Sequence, residues 1–246
     1  MGNACQKPIY FAEQNYEEIK SECQENDQLF DDPIFPSSDP STLNNTENPT
    51  KLSKIVWKRP QDIVSNPKFF VDGSSRHDIQ QGSLGDCWLL AAMSSLAMRK
   101  DLMDEVVMPN QTFDSEYAGI FRFRIWHFGK WYEIVVDDFL PTHNAKLKFA
   151  ESDTSENEFW AALLEKAYAK LNGSYQALVA DYVMRGFHAF TGGCVEVCKL
   201  SEETPVENIY KLFVASLKKS ALIACSTKTG SVPEERGEKG IRLGKL

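Results

Sequence analysis

One cysteine in this chain of 246 residues stands where it could attack. Cys87 lies in QGSLGDCWLLAAM, residues 81–93, between a glycine-containing turn and an apolar run. The run CWLLAAMSSLAM, residues 87–98, is rich in Ala, Leu and Met and apolar on nearly every face. That composition predicts a buried, central helix. Cys87 would open it, where unpaired N–H groups and the helix dipole favour an anion. A thiolate that attacks a carbonyl needs donors for the oxygen that becomes negative. The Cys87 backbone N–H can be one. Gln81 precedes it across a Gly82/Gly85 turn, and its side-chain amide can fold back as the second. The bland alternative is a small core thiol, the usual place of a lone cysteine before an apolar helix.

The elements that would position this pair follow from periodicity. Residues 10–30 predict a short, acidic, amphipathic helix, followed by an irregular stretch dense in turn formers. The apolar residues of WKRPQDIVSNPKFFVDG would pack against a core. Phe121, Phe123 and Ile125 alternate with Arg122, Arg124 and Trp126, and Gly129-Lys130 interrupts the run before WYEIVVDD. This predicts a β-hairpin, with Asp137-Asp138 at its end rather than at a metal. SENEFWAALLEKAYAKLNG predicts a second helix, with Gly173 as its stop and Ser155/Glu158 placed for a capping box. TPVENIYKLFVASLKKS predicts a third, with Thr204 as cap, Pro205 in the first position and Glu207 completing a box. ALIAC, residues 221–225, has the character of a short buried strand, and residues 230–246 that of a charged, glycine-rich tail. Helices and strands are segregated, so the fold class is α+β.

Composition removes other classes. Apolar residues make up 42%, enough for a sizeable core, and the net charge is −8. No basic stripe suits a nucleic acid, and no apolar run is long enough to span a membrane. The amino terminus lacks the apolar core of a secretory signal, which points to the cytoplasm and to unused acceptor triplets at Asn110 and Asn172. Gly2 and Cys5 suggest a lipid anchor, but Gln6 stands where the acylation signal wants Ser or Thr, and an ordinary flexible terminus is expected. Cys5, Cys23, Cys87, Cys194, Cys198 and Cys225 form no CxxC pair and no zinc pattern, so free thiols are expected and a thiol-redox role is disfavoured.

The string Q-G-x-x-G-D-C-W resembles the active-site signature of the calpain family, papain-like cysteine proteases. LFDDPIFPSS, YAGIFRFRIWHFGKWYEIVVDDFLP, NEFWAALLEKAYAKLNGSYQAL and FTGG resemble family stretches in family order, over about residues 10–228. The resemblance implies that Cys87 is the nucleophile, that Gln81 supplies the oxyanion donor and that Trp88 helps wall the cleft. It implies a papain-like core of two lobes, with protein substrates cut inside cells. Residues 1–30 would be an N-terminal segment, 31–191 the first lobe, 192–229 the start of the second, and 230–246 a divergent tail. It further implies a calcium site from the carbonyls of Val71 and Gly73 and the carboxylates of Asp78 and Glu158, hard oxygen donors that suit Ca²⁺. One carboxylate does not easily both cap its own helix and ligate an ion, so Glu158 is expected at the metal.

The chain departs from the family pattern after about Thr229. The family takes its catalytic histidine from a stretch like KGHAYS and an asparagine after it, and neither stretch occurs here. His77, His127, His143 and His188 lie outside that context and suit surface or satisfied polar positions. Two functions are therefore expected: a calcium-dependent cysteine endopeptidase with impaired turnover, or a non-catalytic module that binds calcium or a protein partner.

Overall fold

The computed structural model describes residues 9–44, 54–71, 79–152, 157–198 and 205–225. Of the sequence expectations, Gly2, Cys5, Gly73, His77, Asp78, Ser155, Thr204 and the tail from 230 lie outside those residues.

The hairpin is β3 (Ile120–His127) and β4 (Lys130–Asp137), joined by Phe128-Gly129. Both turn residues have positive φ, 45° and 77°, the geometry that matches strand twist in a two-residue loop. The expected alternation holds: Phe121, Phe123 and Ile125 are buried, while Arg122 and Arg124 take Glu133 between them on the other face. A short β1 (Ile9–Tyr10) pairs in parallel with β4, giving a sheet of order β1-β4-β3. A second antiparallel sheet has the order β2 (Val56–Lys58), β5 (Leu140–His143), β6 (Lys146–Leu147).

Helix α1 (Tyr16–Glu25) starts where the Asn15 side chain accepts the Glu17 N–H, with Glu17 and Glu18 in the favourable first turn. Helix α2 (Cys87–Ala97) is central: Leu89, Ala92, Met93 and Leu96 have no exposed surface. Sequence periodicity missed α3 (Lys100–Val106) and α5 (Val183–Thr191), both short. Helix α4 (Trp160–Asn172) ends on Gly173 at φ +91°, the expected stop.

Helix α4 is buried on every side, including Lys166 and Lys170. The Lys166 ammonium reaches Asp137 at 2.5 Å and the Phe139 carbonyl at 2.6 Å. Lys170 reaches Asp32 and Gln14 at 2.5 Å and the Val135 carbonyl at 2.6 Å. Each charge is paired with a carboxylate and bonds further acceptors, one for Lys166 and two for Lys170, the condition for keeping an ion in a core. Burial nevertheless holds Lys170 below the usual lysine range, against the pull of Asp32. These contacts bind the amino-terminal segment to the hairpin and to α4.

Three local expectations change. Helix α4 begins at Trp160, so Glu158 lies ahead of it and does not occupy the third position of a capping box. Pro205, extended at ψ 131°, precedes α6 (Val206–Lys218) instead of opening it. Residues 221–225 form no strand: they are irregular, exposed or half-buried, and have no pairing partner among the described residues. An apolar run becomes a strand only where a neighbouring strand accepts its ladder.

Candidate active site

The loop before Cys87 is held by backbone contacts with residues 148–151. Gln80 and Glu151 exchange N–H···O bonds of 2.8 and 3.1 Å, and the Ser83 N–H donates to the Lys148 carbonyl at 3.2 Å. Gly82 sits so close that a Cβ there would lie 2.2 Å from the Phe149 oxygen and 2.5 Å from the Lys148 oxygen. Gly85 turns the chain at φ +83°, a conformation that costs other residues strain. Its carbonyl accepts the Ala180 N–H at 3.3 Å. The Asp86 carbonyl then accepts from Leu89 at 2.8 Å, and α2 begins.

Cys87 is the first residue of α2 and is half-buried, and the exposed Gln81 folds back toward it. With its amide oxygen turned inward, Gln81 accepts from the Cys87 and Asp86 backbone N–H groups, each at 3.3 Å. The structure thus brings together the two groups singled out in the sequence: the thiol at a helix start and an amide beside its backbone N–H.

Trp88, the residue expected to wall the cleft, is 2% exposed and packs into the core beside Cys87. Its indole N–H donates to the Leu178 carbonyl at 2.7 Å and its ring meets Tyr168 edge-on. The residue after Cys87 in a buried helix points inward because the helix packs on that side.

Of the described histidines, His127 contacts Phe128 and Tyr132 beside the hairpin turn, and burial lowers its pKa. His143 ends β5, and His188 donates from Nδ1 to the Gly193 carbonyl at 2.8 Å. None of these contacts reaches Cys87.

Val71 and Glu158 are neighbours, although 87 positions apart: a Glu158 carboxylate oxygen accepts the Val71 N–H at 2.7 Å. The other oxygen accepts from the Ser152 hydroxyl at 3.2 Å. Asp137 and Asp138 close the hairpin as expected. Asp137 serves Lys166 and the N–H groups of Asp32 and Phe139, and Asp138 serves Arg59 and Tyr117. Among the described residues, no group of three or more His, Cys, Asp or Glu is arranged to hold a metal, and no helix is long and apolar enough to cross a membrane. The cysteines described, 23, 87, 194, 198 and 225, are free thiols.

Comparison with known proteins identifies the family. The family model described as calpain family cysteine protease matches residues 30–244. Similar proteins include calpain-8 of Rattus norvegicus, 44% identical over 93% of this chain and 32% of its own length. The calpain-2 catalytic subunit of Mus musculus is 46% identical over 90% of this chain and 31% of its own. The calpain-1 catalytic subunit of Sus scrofa is 45% identical over 91% and 31%. The chain spans about a third of the length of these relatives. It belongs to the calpain family of cysteine proteases.

Proposed function

We propose that this chain carries the nucleophile-bearing part of a calpain-type cysteine endopeptidase that acts on proteins inside cells. The observation that supports it is the Gln81 amide 3.3 Å from the Cys87 N–H at the start of a helix. Cys87 attacks the peptide carbonyl as thiolate. The carbonyl oxygen takes the place of the Gln81 oxygen at the Cys87 N–H, and a turn of the Gln81 amide presents its NH₂ as second donor. Residues 31–191 form the first lobe and 192–229 begin the second, with 1–30 as an N-terminal segment and 230–246 as a tail.

Calcium is part of the proposal. The proposed donors are oxygens, which suit a hard cation, and the Val71 N–H bond to Glu158 keeps these two residues in one neighbourhood. Val71 and Gly73 through their carbonyls and Asp78 and Glu158 through their carboxylates would hold the ion, which supplies charge that draws these segments together.

A base must take the thiol proton and protonate the leaving amine. The chain lacks the family's KGHAYS-like stretch, and His127 and His188 contact other groups. We infer that residues 1–246 taken by themselves turn over poorly. In a worked serine protease, losing one key triad member costs on the order of a millionfold. The same observation favours a second function, a non-catalytic module that binds calcium or a protein partner.

Residues 1–246 and a Cys87→Ala control, incubated with an unfolded protein substrate, with calcium or with chelator, separate these readings. Cleavage that needs both calcium and Cys87 establishes the peptidase and defeats the non-catalytic reading. Folded protein whose Cys87 is alkylated but which gives no cleavage establishes a nucleophile without its base.

A further inference from the structure

Behind the start of α2 lie three buried polar atoms without a hydrogen-bond partner: Asp86 Oδ2, Glu165 Oε1 and the Tyr175 hydroxyl. Asp86 and Glu165 are each 1% exposed. An Asp at a helix N-cap ordinarily accepts an N–H of the first turn. Asp86 holds that position and makes no such bond. Its carboxyl faces Glu165 instead. Glu165 gives its other oxygen, Oε2, to the Ala150 N–H at 3.1 Å, leaving Oε1 for Asp86.

Two carboxylates cannot hydrogen-bond each other, since both only accept. One proton between them turns both orphan oxygens into partners. We propose that Asp86 and Glu165 are joined through a single proton, and that this bridge positions the Asp86–Cys87 turn against α4. The positioning role rests on Cys87 being the reactive thiol; the bridge itself does not.

The surroundings agree. Burial and the mutual repulsion of the two acids push Glu165 well above the usual carboxylate range, and burial raises Asp86. The groups that bear on them are each other, the Ala150 N–H and the Asp86 N–H, with no lysine or arginine among them. Tyr175 is held neutral by burial and by the charges of Glu165, Asp137 and Asp86. Lys166, next on α4, is committed to Asp137. Two negative charges in this place have no counter-ion, so the pair with one shared proton, which carries one charge instead of two, is the stable form.

The sign of the pH dependence follows. The folded pair keeps a proton that the unfolded chain releases above about pH 4.3. Stability is full below that value and is lost as pH rises through the pair's raised value. For one proton the folding equilibrium constant falls by up to about tenfold per pH unit.

Glu165→Gln tests this. Its carbonyl can keep the Ala150 N–H and its NH₂ can donate permanently to Asp86, so the bridge no longer titrates. Denaturant stability of the whole chain is measured from pH 4.5 to 8 for wild type and variant, together with iodoacetamide labelling of the Cys87 peptide by mass spectrometry. The expected result is a flatter pH slope in Glu165→Gln. The ratio of wild-type to variant labelling rates is expected near one at acid pH and at least about threefold away from it at pH 8. Equal slopes overturn the shared proton. Different slopes with a flat labelling ratio overturn the positioning role. Absence of Cys87 labelling in both proteins defeats the nucleophile reading while the slopes still decide the bridge. If Glu165→Gln does not fold, Asp86→Asn carries the same test from the other side.

Discussion

Replacing Gly82 by Ala probes the cradle directly. The added Cβ would lie 2.2, 2.5 and 2.7 Å from the Phe149 oxygen, the Lys148 oxygen and the Phe149 Cα. All three are backbone atoms, so no rotamer change relieves the contact. Reaching an ordinary separation needs a shift of about 1 Å. Such a shift takes the Gln80–Glu151 pair and the Ser83–Lys148 bond, now 2.8 to 3.2 Å, beyond useful length. Three bonds at about 1 kcal/mol each suggest a loss of about 2–3 kcal/mol after partial relaxation. For a chain of this size that corresponds to about 5–10 °C in Tm. Gln81 moves with the cradle, and a misplacement of about 1 Å in a catalytic group costs about a hundredfold in rate. Gly129→Ala is the control. Gly129 also has positive φ but open space around it, so strain alone should cost about 1–2 kcal/mol and leave Cys87 untouched. Thermal melts of both variants, with Cys87 labelling by a peptide-like electrophile, provide the assay. If Gly82→Ala melts no lower than Gly129→Ala and labels as wild type does, the close approach at residue 149 does not hold the loop.

Other sites give sharper structural tests. A Cβ at Gly186 would meet the Ala92 Cβ at 2.4 Å, so Gly186→Ala should cost about 1–3 kcal/mol in denaturant unfolding, and adding Ala92→Gly should restore most of it. Lys170→Met leaves the Asp32 carboxylate buried without its cation and should cost about 3–5 kcal/mol; the double variant with Asp32→Asn should recover part of that by the same measurement. His127 is held neutral by burial, so its folded value lies below the unfolded one, and the stability it contributes is lost as pH falls below about 6.5. His127→Gln should remove that part of the acid limb in pH-dependent melts.

The strongly periodic elements were legible. The hairpin declared itself through Phe121, Phe123 and Ile125, and α4 through its apolar run and Gly173. The shorter helices α3 and α5 have only two turns or so of pattern, and tertiary contacts decide them: α5 exists as it does because Gly186 lets it close on Ala92. ALIAC failed for the converse reason, since an apolar run says nothing about whether a neighbour will pair with it.

The candidate site divides along the same line. Cys87 and Gln81 were legible because a tight turn makes them local, and Gly82 and Gly85 in the sequence announce that turn. The groups that hold the turn were not. Lys148, Phe149 and Glu151 act through their backbones, which carry no side-chain signal. Glu165 gave a signal that could have been used: with Lys166 and Lys170 it places three charges in a run otherwise apolar on every face. A helix with that composition has no outer face on which to hide charge, so each of the three must find a partner inside. Lys166 and Lys170 find carboxylates, whereas Glu165 is left facing Asp86, one residue from the thiol. Two acids facing each other in a core require a proton, and the sequence places that requirement next to Cys87 rather than at a remote structural position.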